Sequence, residues 1–113
     1  MNNVYDLAHQ LARALKNSQE YKEYVQKKND LYKDEKNKKM VEDFREKVID
    51  IQVKKMSGKE VSQEELDSVK KLEDILRLNP TINEFLIAEY RYSKLIEDIS
   101  KIIGEAIDLE IKL

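Results

Sequence analysis

The chain has 113 residues, 39% of them charged, and its formal net charge at pH 7 is -2. The absence of cysteine excludes disulfides and thiolate metal sites, and two glycines and one proline are too few for the turns of a protein built from β-strands. Because acidic and basic residues are interspersed along the chain, a general electrostatic attraction to nucleic acid is not expected.

The hydropathy of the chain argues against a membrane protein. No segment is apolar over the roughly 20 residues that a membrane-spanning helix needs, and no charged segment followed by an apolar one marks a signal peptide. We therefore expect a cytoplasmic protein that has no contact with a membrane and forms one helical domain over residues 1–113.

Lysine, glutamate and leucine are abundant, which is typical of long helices. The spacing of the apolar residues predicts helices at about 3–17, 18–32, 35–57, 62–79 and 81–111. We expect an all-α fold, an elongated bundle of about five helices with the long C-terminal helix as its packing spine.

The first helix has a wide apolar face. Asn3 is suited to cap its N-terminus, and Asp6 places a carboxylate in its first turn. Two adjoining rows of apolar side chains follow: Val4, Leu7, Leu11 and Ala14, and Ala8, Ala12 and Leu15. Because alanine lets two backbones approach closely, we expect this helix to pack tightly against another one.

Capping and turn residues mark the ends of the middle helices. Ser18 is placed to cap the second helix, and a short polar connection around Asp34 leads into the third. Gly58 follows the end of the third helix, and Ser62 forms a capping box with Glu65 at the start of the fourth.

Two features of the middle helices predict contacts with other elements. Tyr21 and Tyr24 follow helical spacing in the second helix, and we expect their rings to be buried with the hydroxyl groups near water. Ile49 and Val53 lie off the main apolar row of the third helix and mark a second contact there.

Pro80 separates the fourth helix from the last one. Asn79 precedes a proline and is therefore biased away from helical geometry, which ends the fourth helix. Thr81 and Glu84 have capping-box spacing, so we expect a true break and a new helix from residue 81.

The last helix carries a continuous apolar seam with steps that alternate between three and four residues. The seam consists of Phe85, Ala88, Tyr92, Leu95, Ile99, Ile102, Ala106, Leu109 and Leu113. A second row beside it consists of Ile82, Leu86, Ile96, Ile103 and Ile107. This face is wider than a two-stranded coiled coil needs, and the other helices are too short to cover it.

We therefore expect the first and last helices to form the core pair and the self-association surface of a homo-oligomer, a dimer or a larger assembly. The central residues of this self-association surface are predicted to be Leu95, Ile99, Ile102 and Ala106, with Leu7, Leu11 and Ala14 opposite them.

A second surface of the last helix has the composition of a protein interface. Tyr92 belongs to the apolar seam, whereas Tyr90 faces away from it, and Arg91 and Lys94 lie nearby. Tyrosine and arginine are the residues that anchor many interfaces, so Tyr90, Arg91 and Lys94 are a candidate partner surface. The alternative is a solvated helix face.

No set of residues has the pattern of a catalytic or metal site. His9 is the single histidine, and its neighbours Asp6 and Arg13 are those of an ordinary charged helix surface. The chain lacks the paired Glu-x-x-His motifs of di-iron bundles and any glycine-rich phosphate loop. We expect no catalytic residue, no metal, no cofactor and no enzymatic activity.

The lysine clusters leave a second interpretation open. Lysines at 36, 38 and 39, at 54 and 55, and at 70 and 71, together with an aromatic ring such as that of Tyr32, could hold RNA. Each cluster is mixed with acidic residues, however, which favours solvated helix faces with local ion pairs. An RNA-binding accessory protein is therefore the alternative to a protein that binds other proteins.

Three stretches of the sequence carry a resemblance to a known family. They are residues 5–15, residues 44–65, and residues 79–82 with 88–89 and 95–103. With these helix faces and caps, the chain resembles the YlbF/YmcA family of small helical bacterial proteins over nearly its whole length, and its middle stretch is most similar to the YheA-like branch.

The resemblance implies an all-helical protein that self-associates. Some members of the family act as adaptors that join the protein YaaT and influence RNase Y-dependent mRNA processing, competence, sporulation and biofilm formation. The resemblance thus implies partners of the YlbF/YmcA/YaaT type or partners related to RNase Y. Iron–sulfur clusters are associated with that complex, but a chain without cysteine cannot ligate a cluster through thiolates.

Overall fold

A computed structural model of the protein describes residues 3–108. These residues form five α-helices and no strand: α1 (Val4–Lys16), α2 (Gln19–Tyr32), α3 (Glu35–Met56), α4 (Gln63–Arg77) and α5 (Pro80–Ile107). The predicted all-α fold is confirmed. The predicted end of the last helix at residue 111, and the seam residues Leu109 and Leu113, lie outside the described residues.

Three of the predicted N-caps form as expected. The backbone N–H of Asp6 donates to Asn3 Oδ1 at 2.8 Å, and that of Tyr21 donates to Ser18 Oγ at 3.2 Å. The backbone N–H of Glu65 donates to Ser62 Oγ at 3.1 Å. Each cap satisfies an N–H group that has no partner inside its helix, so the side chain itself fixes where the helix begins.

The turn after α3 also has the predicted geometry. Gly58 has a φ of 75°, a left-handed conformation that glycine adopts without steric cost. The backbone N–H of Lys59 donates to the carbonyl oxygen of Lys54 at 2.9 Å, which satisfies one of the last carbonyl groups of the helix.

The start of α5 corrects one prediction. The backbone N–H of Ile82 donates to Asn79 Oδ1 at 3.2 Å, so Asn79 is the N-cap and Pro80 is the first helical residue. The predicted capping box of Thr81 and Glu84 is wrong, because both residues already lie inside the helix. Proline suits the first helical position since the N–H group it lacks would have no partner there.

The described residues divide into two compact units, one of residues up to 28 and from 85 onward, the other of residues 29–84. In the second unit α3 packs against α4, and the buried apolar side chains are Leu31, Val41, Leu76 and Ile82. Asn37 is also buried there, and its Oδ1 accepts a hydrogen bond from Asn79 Nδ2 at 3.0 Å.

In the first unit, a cluster of aromatic rings joins α2 to α5. The ring of Tyr24 stacks on that of Tyr92 with centroids 5.3 Å apart and lies 6.0 Å from the buried ring of Phe85. Tyr21 contacts Tyr92 from the other side at 5.3 Å. These ring pairs contribute packing beyond the apolar area that they bury.

The predicted core pairing of α1 with α5 is wrong. None of the residues of α1 is buried, whereas α5 carries the buried residues Ile82, Phe85 and Ala88. The large rings of Tyr21 and Tyr24 on α2 cover the seam of α5 at Phe85 and Tyr92 instead. No residue of α1 is buried by a neighbouring helix.

Candidate interaction surfaces

The apolar face of α1 is exposed over its whole length. Leu7 keeps 50% of its surface exposed, and Val4, Leu11 and Ala14 are exposed as well. Only Leu15, at the end of the helix, is half-buried. An apolar row of this length in contact with water is a typical mark of a surface that another protein covers.

The end of α5 is the second uncovered apolar surface of the same unit. Leu95 and Ile99 are half-buried, but Ile102 is 67% exposed and Ala106 is exposed. Ile103 and Ile107, from the neighbouring row, are also exposed. The apolar seam thus passes from a covered part near Phe85 to an uncovered part beyond Ile99.

The predicted partner surface on α5 lines a shallow cavity. Tyr90, Arg91 and Lys94 border about 260 Å³ of space together with Leu95, Asp98 and Glu20. Glu20 could not be predicted from the sequence, because it lies on α2 and reaches this place only through the packing of α2 with α5.

Both cations of this cavity already have acidic neighbours. Arg91 Nη1 lies 3.8 Å from Glu23 Oε2, and Lys94 Nζ donates to Asp98 Oδ1 at 3.0 Å. The hydrogen bond to Asp98 raises the pKa of Lys94 above its ordinary value. A carboxylate of a partner would have to compete with these internal carboxylates, while the exposed ring of Tyr90 is available for contact.

Each lysine cluster has one member that contacts another side chain of the chain. Lys38 Nζ lies 4.9 Å from the centre of the Tyr32 ring, Lys54 Nζ donates to Glu65 Oε1 at 2.6 Å, and Lys70 Nζ donates to Asp74 Oδ1 at 3.0 Å. The bond to Asp74 raises the pKa of Lys70. One lysine of each cluster is thus held by a ring or a carboxylate of the chain itself, which is the pattern of a solvated helix face.

A larger cavity lies between α3 and α4. It has a volume of about 450 Å³, and Ile51 and Val69 line it beside the Lys54–Glu65 ion pair. Its lining mixes both signs of charge with apolar side chains and presents no histidine or cysteine. This cavity could not be predicted from the sequence. Its residues come from two helices, and only the packing of these helices determines which of their sides face each other.

Groups suited to catalysis or metal binding are sparse in the described part of the chain. His9 is exposed on α1, and no group of three or more histidine, cysteine, aspartate or glutamate side chains within residues 3–108 could hold a metal ion. No helix in the same range is both long and apolar enough to span a membrane.

Comparison with known proteins identifies the family of the chain. The family described as "Control of competence regulator ComK, YlbF/YmcA" matches residues 4–108.

The chain belongs to the YlbF/YmcA family. That family is described by a regulatory role and not by a reaction.

Relatives within the YlbF/YmcA family cover nearly the whole chain. A UPF0342 protein of Caldicellulosiruptor saccharolyticus is 46% identical over 110 residues, which span 97% of this chain and 92% of the relative. A UPF0342 protein of Bacillus pumilus is 34% identical over 106 residues, which span 94% of this chain and 90% of the relative.

A solved structure supports the same fold. The chain is similar to a "Protein of Unknown Function (DUF964) from Bacillus stearothermophilus", with a TM-score of 0.83, 20% identity and coverage of 93% of this chain and 92% of the other. At this identity the likeness concerns the fold alone.

Proposed function

We propose that this YlbF/YmcA-family protein is a non-enzymatic adaptor that acts through self-association and contacts with other proteins. The observation that carries the proposal is the uncovered apolar surface of α1 and of the end of α5. Leu7 and Ile102, in the middle of these two surfaces, each keep at least half of their area exposed. Lys54, Lys70 and Lys94 are each paired with a carboxylate of the chain, so the apolar surfaces are where a partner gains most from contact.

A second copy of the chain is the partner that suits these surfaces. Both are apolar helix faces of similar width, and both occur on every copy. A two-fold axis that brings α1 of one copy onto the end of α5 of another covers both faces in both copies at once. The predicted residues Leu7, Leu11 and Ala14 would then lie against Leu95, Ile99, Ile102 and Ala106 of the other copy.

The regulatory setting comes from the family. Its description names control of a competence regulator, and the resemblance drawn from the sequence implies adaptor roles near RNase Y-dependent mRNA processing, sporulation and biofilm formation. We propose that this chain serves such regulation in the cytoplasm through partners of the YlbF/YmcA/YaaT type. The surface around Tyr90, Arg91 and Lys94 is the second contact that we assign to this role.

Self-association is tested by sedimentation velocity of the full chain at micromolar concentration. Leu7→Asp and Ile102→Asp each bury an unpaired carboxylate in one half of the contact, and each is expected to weaken association at least about tenfold. Ile75→Asp is the matched control, because Ile75 is an exposed apolar residue of α4 outside the contact. A wild-type chain that sediments as a monomer would overturn the proposal.

A pull-down with and without nuclease distinguishes the adaptor from the RNA-binding alternative. An adaptor is expected to retain the same specific proteins after nuclease treatment. An RNA-binding protein would lose them, and its measured affinity for RNA would fall steeply as salt concentration rises.

A further inference from the structure

The shallow cavity between α2 and α5 contains a carboxylate that the chain itself does not pair. We call it the α2–α5 cavity; its volume is about 260 Å³, and it is lined by Glu20, Tyr90, Arg91, Lys94, Leu95 and Asp98. Arg91 lies beside Glu23, and Lys94 donates to Asp98. The side chain of Glu20 has no ion pair and no hydrogen bond within residues 3–108.

Glu20 differs in this respect from other carboxylates of similar burial. It is half-buried. Four other half-buried carboxylates each have a basic partner: Glu23 with Arg91, Asp30 with Lys33, Glu65 with Lys54 and Glu73 with Arg77. Partial loss of water raises the cost of a charge that has no partner, so Glu20 gains from a cation supplied from outside the chain.

The remaining lining of the α2–α5 cavity suits a long basic side chain. Tyr90 is 69% exposed, and an aromatic ring attracts a cation placed over its face. Leu95 is half-buried and offers an apolar contact for an alkyl chain. The cavity is smaller than the roughly 300 Å³ at which pockets for whole ligands begin, so a single side chain is the occupant that its size favours.

We infer that the α2–α5 cavity binds an arginine side chain of another protein. The guanidinium group donates to the carboxylate of Glu20 and lies over the ring of Tyr90, while the alkyl chain contacts Leu95. Arginine suits this place better than lysine, because a planar guanidinium stacks on a ring and donates two parallel hydrogen bonds to a carboxylate. The inference rests on the proposed adaptor role, which assigns a partner to this surface, and it specifies the chemistry of that partner.

An acidic side chain fits the α2–α5 cavity less well. Arg91 and Lys94 are the cations that would attract it, but Glu23 and Asp98 already lie beside them. With Glu20 included, three carboxylates stand against two cations, so the local charge is negative. A carboxylate brought by a partner would be repelled, whereas a cation is attracted.

A second copy of this chain is a poor source of the arginine. Arg13 follows Val4 by nine residues, about two and a half helical turns, so it lies on the opposite side of α1. When the apolar face of α1 covers the end of α5 in the proposed assembly, Arg13 is directed away from it. Arg45 and Arg77 have interactions within the chain, and Arg91 belongs to the cavity itself. The arginine is therefore expected from a different protein.

The test is an NMR titration of the full, isotope-labelled chain with N-acetylarginine amide, which carries the arginine side chain on a neutral backbone. N-acetylcitrulline amide is the matched probe, since its side chain has nearly the same shape but no charge. The arginine probe is expected to shift the signals of Tyr90 and Leu95 saturably and to bind at least about tenfold more tightly than the citrulline probe. Equal affinity for the two probes, or no saturable shift with the arginine probe, contradicts the inference. N-acetyllysine amide should bind more weakly, and equal affinity for it would show the choice of arginine to be wrong.

Variants of the chain locate the binding. Glu20→Gln keeps the shape of the side chain and is expected to weaken the arginine probe at least about tenfold. Glu64→Gln makes the same change in net charge on α4, which does not line the cavity, and should change affinity less than about twofold. Tyr90→Leu removes the ring and should weaken binding about threefold. Unchanged affinity in Glu20→Gln, with the rest of the spectrum as in the wild type, would refute the inference.

Sedimentation velocity separates this inference from the proposed self-association. Glu20→Gln should leave the assembly at its wild-type size, and Leu7→Asp should leave affinity for the arginine probe unchanged. If Glu20→Gln dissociates the assembly, the cavity is a contact between copies and the inference is wrong, although self-association stands. If the wild-type chain is a monomer that binds the arginine probe as expected, self-association is wrong and the inference stands.

Discussion

At the scale of single residues, Asn79 has two structural roles. Its Oδ1 accepts from the backbone N–H of Ile82 and caps α5, while its Nδ2 donates to Oδ1 of the buried Asn37. The amide group thus ties the start of α5 to the first turn of α3. An aspartate in the same place could serve as a cap but could not donate to Asn37.

Substitution of Asn79 separates these two roles. Asn79→Ala removes both, and we expect it to lower the free energy of unfolding by about 1 to 3 kcal/mol, because a cap is lost and a buried acceptor is left unpaired. Asn79→Asp keeps the cap and should lose about 1 kcal/mol. Urea denaturation at one fixed protein concentration measures both. An aspartate variant as stable as wild type would mean that the bond to Asn37 contributes nothing.

The caps also show which single-residue features a sequence can predict. Asn3, Ser18 and Ser62 each bind an N–H group three residues ahead, so the pattern is local and visible in the sequence. The bond between Asn37 and Asn79 spans 42 residues and has no local signal. The prediction of Thr81 as a cap is wrong although its spacing to Glu84 is that of a capping box. Asn79 already caps the helix, and Pro80 is its first residue.

At the scale of elements, the aromatic cluster decides which helices pair. Apolar spacing predicts which side of a helix is buried, but it does not say which neighbour covers it. The seam of α5 was predicted, and Phe85 and Ala88 on it are buried. The prediction that α1 covers this seam is wrong, because the large rings of α2 pack there and the many small apolar residues of α1 do not.

We expect Tyr24 to contribute most of the α2–α5 contact. Tyr24→Ala removes a ring that lies between Tyr92 and Phe85, so it should lower the free energy of unfolding by about 2 kcal/mol, less than for a fully buried ring. Tyr24→Phe keeps the ring and should change stability by less than about 0.5 kcal/mol. Both are measured by urea denaturation, and a phenylalanine variant as unstable as the alanine variant would assign the effect to the hydroxyl group.

At the scale of the whole molecule, α1 contributes no residue to the hydrophobic core. It has 13 residues, none of them buried, and isolated helices shorter than about 12 to 15 residues are marginal in water. Its Asn3 cap and its first-turn Asp6 help, but together they contribute only about 1 to 2 kcal/mol. In the proposed self-association, a second copy that covers Leu7 and Leu11 would supply the missing stabilisation, so assembly and the folding of α1 should be linked.

Hydrogen exchange of the backbone amides tests this linkage. In the assembled wild-type chain the amides of α1 should exchange slowly, and Ile102→Asp should make them exchange at least about tenfold faster, although the substitution lies on α5. Dilution below the dissociation constant should have the same effect, because it removes the second copy without any substitution. The amides of α4 are the internal control and should be unaffected by either change. Protection of α1 that persists after both changes would mean that α1 holds its helix without a partner copy, and that its exposed apolar face needs another explanation.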